Sequence, residues 1–118
     1  MNLESFGASE IAVDRELALS RVGGDTELLH EIAQLFLEDY PRVVAQLRGA
    51  IKSGDSRNLE RIAHGLKGSV SNFGARAAVE AARAIEFLGR EQKIAEAAKA
   101  IPVLETTLAA LRPELESL

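Results

Sequence analysis

Apolar residues recur along almost the whole chain at a spacing near 3.6, not 2, and short glycine breaks cut that pattern into segments. Gly23-Gly24, Ser53-Gly54, Gly74 and Gly89 each close a periodic stretch, and Asp25 and Asp55 follow the first two as N-cap oxygens for the next helix. The spacing predicts a short first helix from about Asp14 to Val22. A long second one begins after Asp25, with Leu28, Leu29, Ile32, Leu35, Phe36, Val43, Val44, Leu47, Ala50 and Ile51 along one stripe. Pro41 is expected to bend or break it, because proline lacks an amide donor and disfavours the helical region at Tyr40. A third helix runs from Asp55 or Ser56 to about Phe73, a fourth from Arg76 to Leu88, and a fifth from about Gln92 to Leu115. Pro102 implies a kink or a late start in the fifth.

Short connections between long amphipathic helices force antiparallel neighbours. The expected fold is therefore all-α: an up-down antiparallel four-helix bundle, with the short additional N-terminal helix covering one end. Residues 1–12 are expected to form a poorly ordered lead, and residues 13–116 one helical domain. The composition agrees. Aromatic residues make up 4% of the 118 positions and tryptophan is absent, which disfavours a β-sandwich. The chain has no cysteine, so disulfides, thiolate metal sites and cysteine nucleophiles are excluded.

A net charge of −4 argues against nucleic acid as a partner. No apolar run approaches the roughly 20 residues of a membrane span, so no membrane insertion is expected. Met1 to Ser9 carries Glu4 and lacks the layout of a signal peptide, which makes the cytoplasm the expected compartment. Neither a Gly-x-x-x-x-Gly-Lys-Ser/Thr loop nor a Gly-x-Gly-x-x-Gly turn is present, leaving ATP and dinucleotides without a seat. Glu27-x-x-His30 has the spacing of a carboxylate-bridged metal site once, where such a site needs it twice, so no metal is expected. His30 reads as an ordinary solvated residue.

His64 reads differently. On the third helix Leu59, Ile62, Leu66, Val70 and Phe73 fall within a wedge of roughly 80°, and His64 lies about 160° from its centre, facing solvent. Lys67, Gly68 and Ser71 continue its side of the helix, and Glu60 and Arg61 flank it from the preceding turn. Glycine inside a helix costs about 1 kcal/mol relative to alanine, so Gly65 and Gly68 need a reason. Clearance supplies one: without side chains there, the imidazole stands free for another protein to approach. Tight helix packing is the competing explanation, weakest at Gly68, which lies off the apolar stripe. A neutral imidazole offers one unprotonated nitrogen as a nucleophile near neutral pH. If it took a phosphoryl group, Lys67 would place a positive charge near the new oxygens. Phosphoryl transfer needs chiefly positioning and charge neutralisation, so His64 and Lys67 could form a half-site whose partner brings metal and acceptor.

The run Ala63-His64-Gly65-Leu66-Lys67-Gly68-Ser69-Val70-Ser71-Asn72-Phe73-Gly74-Ala75 resembles the signature of histidine-containing phosphotransfer (Hpt) domains. Phe36-Leu37-Glu38-Asp39-Tyr40-Pro41, Ala50-Ile51-Lys52-Ser53-Gly54-Asp55 and Ala84-Ile85-Glu86 are similar to that family as well, and the likeness spans about residues 13 to 112. Gly65 departs from it, standing where the family often carries a small polar or larger residue. The resemblance implies a four-helix bundle with His64 as the phosphorylated residue, Lys67 stabilising the phosphoryl group and Gly68 giving access. Glu60, Arg61, Gly65, Ser71 and Ala75 would touch the partner, and Arg57, Arg61, Arg76 and Lys67 would offer it a basic patch.

By the same resemblance the partners are response-regulator receiver domains and a hybrid sensor kinase, the chain is a monomer without a catalytic cycle of its own, and Mg²⁺ comes with the receiver, not as a cofactor of this chain. The alternative is the phosphoacceptor module of a chemotaxis-type kinase, phosphorylated from ATP by a separate kinase domain. A dimerisation-and-phosphoacceptor domain fits less well, since it expects an acidic residue after the histidine where Gly65 stands. A purely structural helical adaptor would leave His64 without a role.

Overall fold

Aspartates begin the first three helices. In the computed structural model, which describes residues 12–118, Asp14, Asp25 and Asp55 accept hydrogen bonds from the amides of Leu17, Leu28 and Asn58 at 3.1, 3.0 and 3.1 Å. These caps open α1 (Arg15–Ser20), α2 (Thr26–Ser53) and α3 (Ser56–Ser71); α4 (Arg76–Arg90) and α5 (Ile94–Glu116) follow. The expected N-terminal lead, residues 1–12, lies outside the described residues except for Ala12. Among the described residues there is no strand, and no helix is long and apolar enough to cross a membrane.

Helices α2 to α5 form the expected up-down bundle, each packed against two antiparallel neighbours in a closed ring. Its interior is aliphatic, with Leu47, Leu59, Val70, Ile85, Leu104 and Leu108 without solvent exposure. Phe73 closes it against Phe36, their rings edge to face with centroids 5.6 Å apart. The six-residue α1 covers the end where α3 turns into α4: the Asp14 amide donates to the Phe73 carbonyl at 2.9 Å. The chain entering α1 is tied to α5, since Glu114 accepts from the amides of Ala12 and Val13 at 2.8 and 2.7 Å.

Neither proline breaks its helix. Pro41 and Pro102 lie exposed inside continuous α2 and α5, as does Pro113. Their rings meet solvent, while buried residues on both sides (Leu37 and Val44, Ile101 and Leu104) hold the helix in place. The long α2 stripe also departs from expectation. Leu28 and Leu35 lie outside the core, Leu35 with 65% of its surface exposed on the side of α2 beside Ser69 and Asn72.

Gly89, expected to stop α4, lies inside it. The turn that follows is made by Gln92, which takes the left-handed φ of 61°. Gly89 instead lets two backbones meet: a Cβ there would stand 2.9 Å from the Glu60 nitrogen and 3.1 Å from the Ser56 carbonyl oxygen of α3. Gly65 and Gly68 have nothing within 4 Å of such a Cβ, so helix packing does not explain them. Opposite responses follow. Gly89→Val is expected to lower the unfolding free energy by about 1–3 kcal/mol through overpacking against α3 backbone. Gly68→Ala is expected to raise it by up to about 1 kcal/mol through helix propensity alone. Urea midpoints compared at constant slope measure both, and a destabilised Gly68→Ala would contradict the open geometry.

Candidate functional site

Helix α3 buries Leu59, Ala63, Leu66 and Val70 at successive turns, and this rotation turns His64 outward. Its side chain is 68% exposed, yet one ring nitrogen is held: Nδ1 lies 2.7 Å from Oε2 of Glu86 on α4. The Glu86 side chain is only 7% exposed, and its second oxygen accepts from Lys67 Nζ at 2.7 Å. One buried carboxylate thus spans the two residues that helical spacing puts one turn apart. Arg90, a turn further along α4, brings Nη2 to 3.6 Å from Glu86 Oε2 and donates from Nε to Glu60 Oε2 at 2.9 Å.

Burial alone would push the Glu86 carboxyl up. The hydrogen bonds from Lys67 and His64, with the charges of those partners, outweigh burial and leave it below its ordinary value of 4.5. The group is therefore an anion at neutral pH. A carboxylate can only accept, so Nδ1 carries the ring proton when the imidazole is neutral, and the lone pair is left on Nε2, on the open side. The depressed value also fixes a pH dependence. The unfolded chain takes up the proton first as pH falls, so the stability contributed by Glu86 is complete above about pH 4.5 and is lost as pH drops further through the folded value. Urea unfolding at about pH 6 and about pH 3 should show a flatter pH dependence in Glu86→Gln than in the parent protein, other carboxylates being common to both.

The remaining candidates divide. Gly65 and Gly68 lie open beside His64, as the clearance argument requires. Ser71 is half-buried and donates from Oγ to the Lys67 carbonyl at 2.8 Å, bracing the segment that carries the lysine. Arg57 and Arg61 are exposed on α3, Arg61 bonded to Asn58. Lys67 is not a free cation of the expected basic patch, being 24% exposed and paired with Glu86. Arg76 lines a different groove, with Asp14, Glu80 and Glu114, so the patch does not close around His64. Ala75 cannot touch a partner: it has no exposed surface and sits in the core as the first residue before α4. His30 lies early in α2, its Nδ1 3.1 Å from the Leu118 carbonyl, apart from the site.

Glu86 is the site residue that pattern reading misses. Its signal is nonetheless there: it stands four residues after Ala82 and eight after Ala78, on the apolar stripe of α4. A carboxylate at a core position demands partners from the facing helix. Beside this group a groove of about 280 Å³ runs between α2 and α3, lined by Phe36, Tyr40, Arg61, Ile62, Gly65 and Ser69.

Fold and site together define a histidine-presenting helical bundle: one imidazole on an outer face, its inner nitrogen fixed by a buried anion. The family model for the Hpt domain matches residues 31–114, and the chain belongs to that family, whose members are phosphotransfer carriers of phosphorelays that interact with response-regulator receiver domains. The fold is also that of histidine-containing phosphotransfer protein B from Pseudomonas aeruginosa PAO1. That crystal structure has a TM-score of 0.83 and 22% sequence identity, with 91% of this chain and 93% of the other covered. No match was found among curated proteins.

Proposed function

We propose that His64 accepts a phosphoryl group from the aspartyl phosphate of a receiver domain and passes it to the aspartate of another. The observation that carries this reading is the 2.7 Å contact of His64 Nδ1 with buried Glu86, which leaves Nε2 as the nucleophile on the open side. Nε2 attacks phosphorus, the N–P bond forms, the P–O bond to the aspartate breaks, and the aspartate leaves as a carboxylate. The Nδ1 proton stays on the ring, shared with Glu86, and balances part of the charge that arrives. Lys67 turns from Glu86 toward the phosphoryl oxygens, and Gly65 and Gly68 leave the approach open. Mg²⁺ belongs to the receiver, and the carrier acts as a monomer.

The test incubates the protein with a phosphorylated receiver domain and Mg²⁺. Acid-labile label should move to the carrier and then to a second, unphosphorylated receiver. Label that arrives only from an ATP-bound kinase domain, with no receiver present, would instead identify a kinase phosphoacceptor module. No transfer from either donor would reject both readings.

A further inference from the structure

In the unphosphorylated bundle the Lys67 ammonium already has an anion, Glu86 Oε1 at 2.7 Å. A phosphoryl group on His64 competes for that ammonium, bringing nearly two further negative charges. If Lys67 turns outward, Glu86 remains a carboxylate of 7% exposure with only the His64 Nδ1–H bonded to it. Removing one partner from a buried charge is strongly unfavourable. A replacement stands one turn away. Arg90 Nη2 lies 3.6 Å from Glu86 Oε2, inside ion-pair range but beyond a hydrogen bond, and its Nε is anchored on Glu60 Oε2 at 2.9 Å. A guanidinium carries five N–H donors in a planar fork, so Nε can keep Glu60 while an Nη group closes on Glu86.

We propose that Arg90 is a positioning residue that takes over the Glu86 carboxylate when Lys67 turns to the phosphoryl group on His64. The cluster then exchanges one counter-ion for another and creates no bare buried charge. Glu60, Arg90, Glu86 and Lys67 alternate in sign across α3 and α4, and the exchange moves cations along that row without moving a helix. The inference rests on His64 being the phosphoryl acceptor. The plainer role for Arg90, a staple between α3 and α4 through Glu60, predicts that its effect is independent of Glu86.

The experiment places equimolar parent protein and Arg90→Gln in competition for one limiting pool of phosphoryl groups. The two equilibrate through a catalytic amount of a phosphorylated receiver domain with Mg²⁺, and the acid-labile label on each is counted. Glutamine keeps most of the aliphatic stem, and urea midpoints establish that the variant is folded. Arg90→Gln should hold about three- to fivefold less label, the size expected for a partly shielded ion pair. Arg90→Lys, which restores the charge but not the fork, should recover part of the deficit. In a Glu86→Gln background the Arg90→Gln deficit should vanish, because Arg90 then has no carboxylate to take over. Equal label on parent and Arg90→Gln overturns the inference and leaves the His64 reading intact. An equal deficit in both backgrounds also overturns it, in favour of the staple. Absence of label on every protein would reject the His64 reading and this inference with it.

Discussion

Replacing His64 by glutamine is expected to abolish phosphoryl uptake, leaving label at the background of an unreactive surface. Glutamine is polar and of similar reach, but its amide nitrogen has no available lone pair and cannot attack phosphorus. The loss should be one of chemistry and not of folding. His64 is 68% exposed and contributes no apolar surface to the core, and a glutamine amide can donate to Glu86 in place of Nδ1, so the substitution should lower the unfolding free energy by no more than about 1–2 kcal/mol. Incubation with a phosphorylated receiver and Mg²⁺, followed by counting of acid-labile label, measures the first effect, and a urea titration the second. The matched control is His30→Gln, which alters a histidine bonded to the Leu118 carbonyl outside the site and should leave labelling at the parental level. Label persisting in His64→Gln would sink the assignment.

The second large effect is expected from Glu86→Gln, which should slow transfer by about tenfold to a hundredfold without removing the nucleophile. The cause is the ring proton. Glu86 as an anion can only accept, so it fixes the proton of neutral His64 on Nδ1 and the lone pair on Nε2. An amide can turn its NH₂ toward Nδ1 and hold the other tautomer, with the proton on the outward nitrogen. A fraction of molecules then meets the phosphoryl donor with no lone pair facing it. Nitrogen-15 NMR of the imidazole reads the tautomer directly, and a single-turnover transfer rate reads the consequence. The two should change together. Glu86→Gln with the parental tautomer and the parental rate would remove Glu86 from the mechanism.

Much of the fold is legible in the order of residues alone. Asp14, Asp25 and Asp55 cap the helices they precede, and a period near 3.6 locates five helices to within a few residues. The departures share one origin: each depends on what stands opposite. Gly89 reads as a stop because glycine often ends helices, but its use is against the backbone of Glu60, on a different helix. Pro41 reads as a bend or break and Pro102 as a kink or late start, but their rings face solvent and both helices continue through them. Leu35 belongs to the apolar stripe of α2, yet four helices in a ring leave it exposed.

The site divides along the same line. That His64 faces away from the core of α3, with Lys67 one turn on and glycines beside it, follows from the rotation of a single helix and needs nothing beyond residue order. The bundle follows from residue order too, since short breaks between amphipathic helices allow few other arrangements. What the imidazole and the ammonium are bonded to is settled only when the helices pack. Glu86 reaches both from a different helix, across a separation of 22 residues from His64, and Arg90 and Glu60 complete the row of charges. Local periodicity carries no information about which residue of one helix meets which residue of the next. That register is set by packing, here by the close approach of α3 and α4 at Gly89, and with it which nitrogen of His64 is held by Glu86.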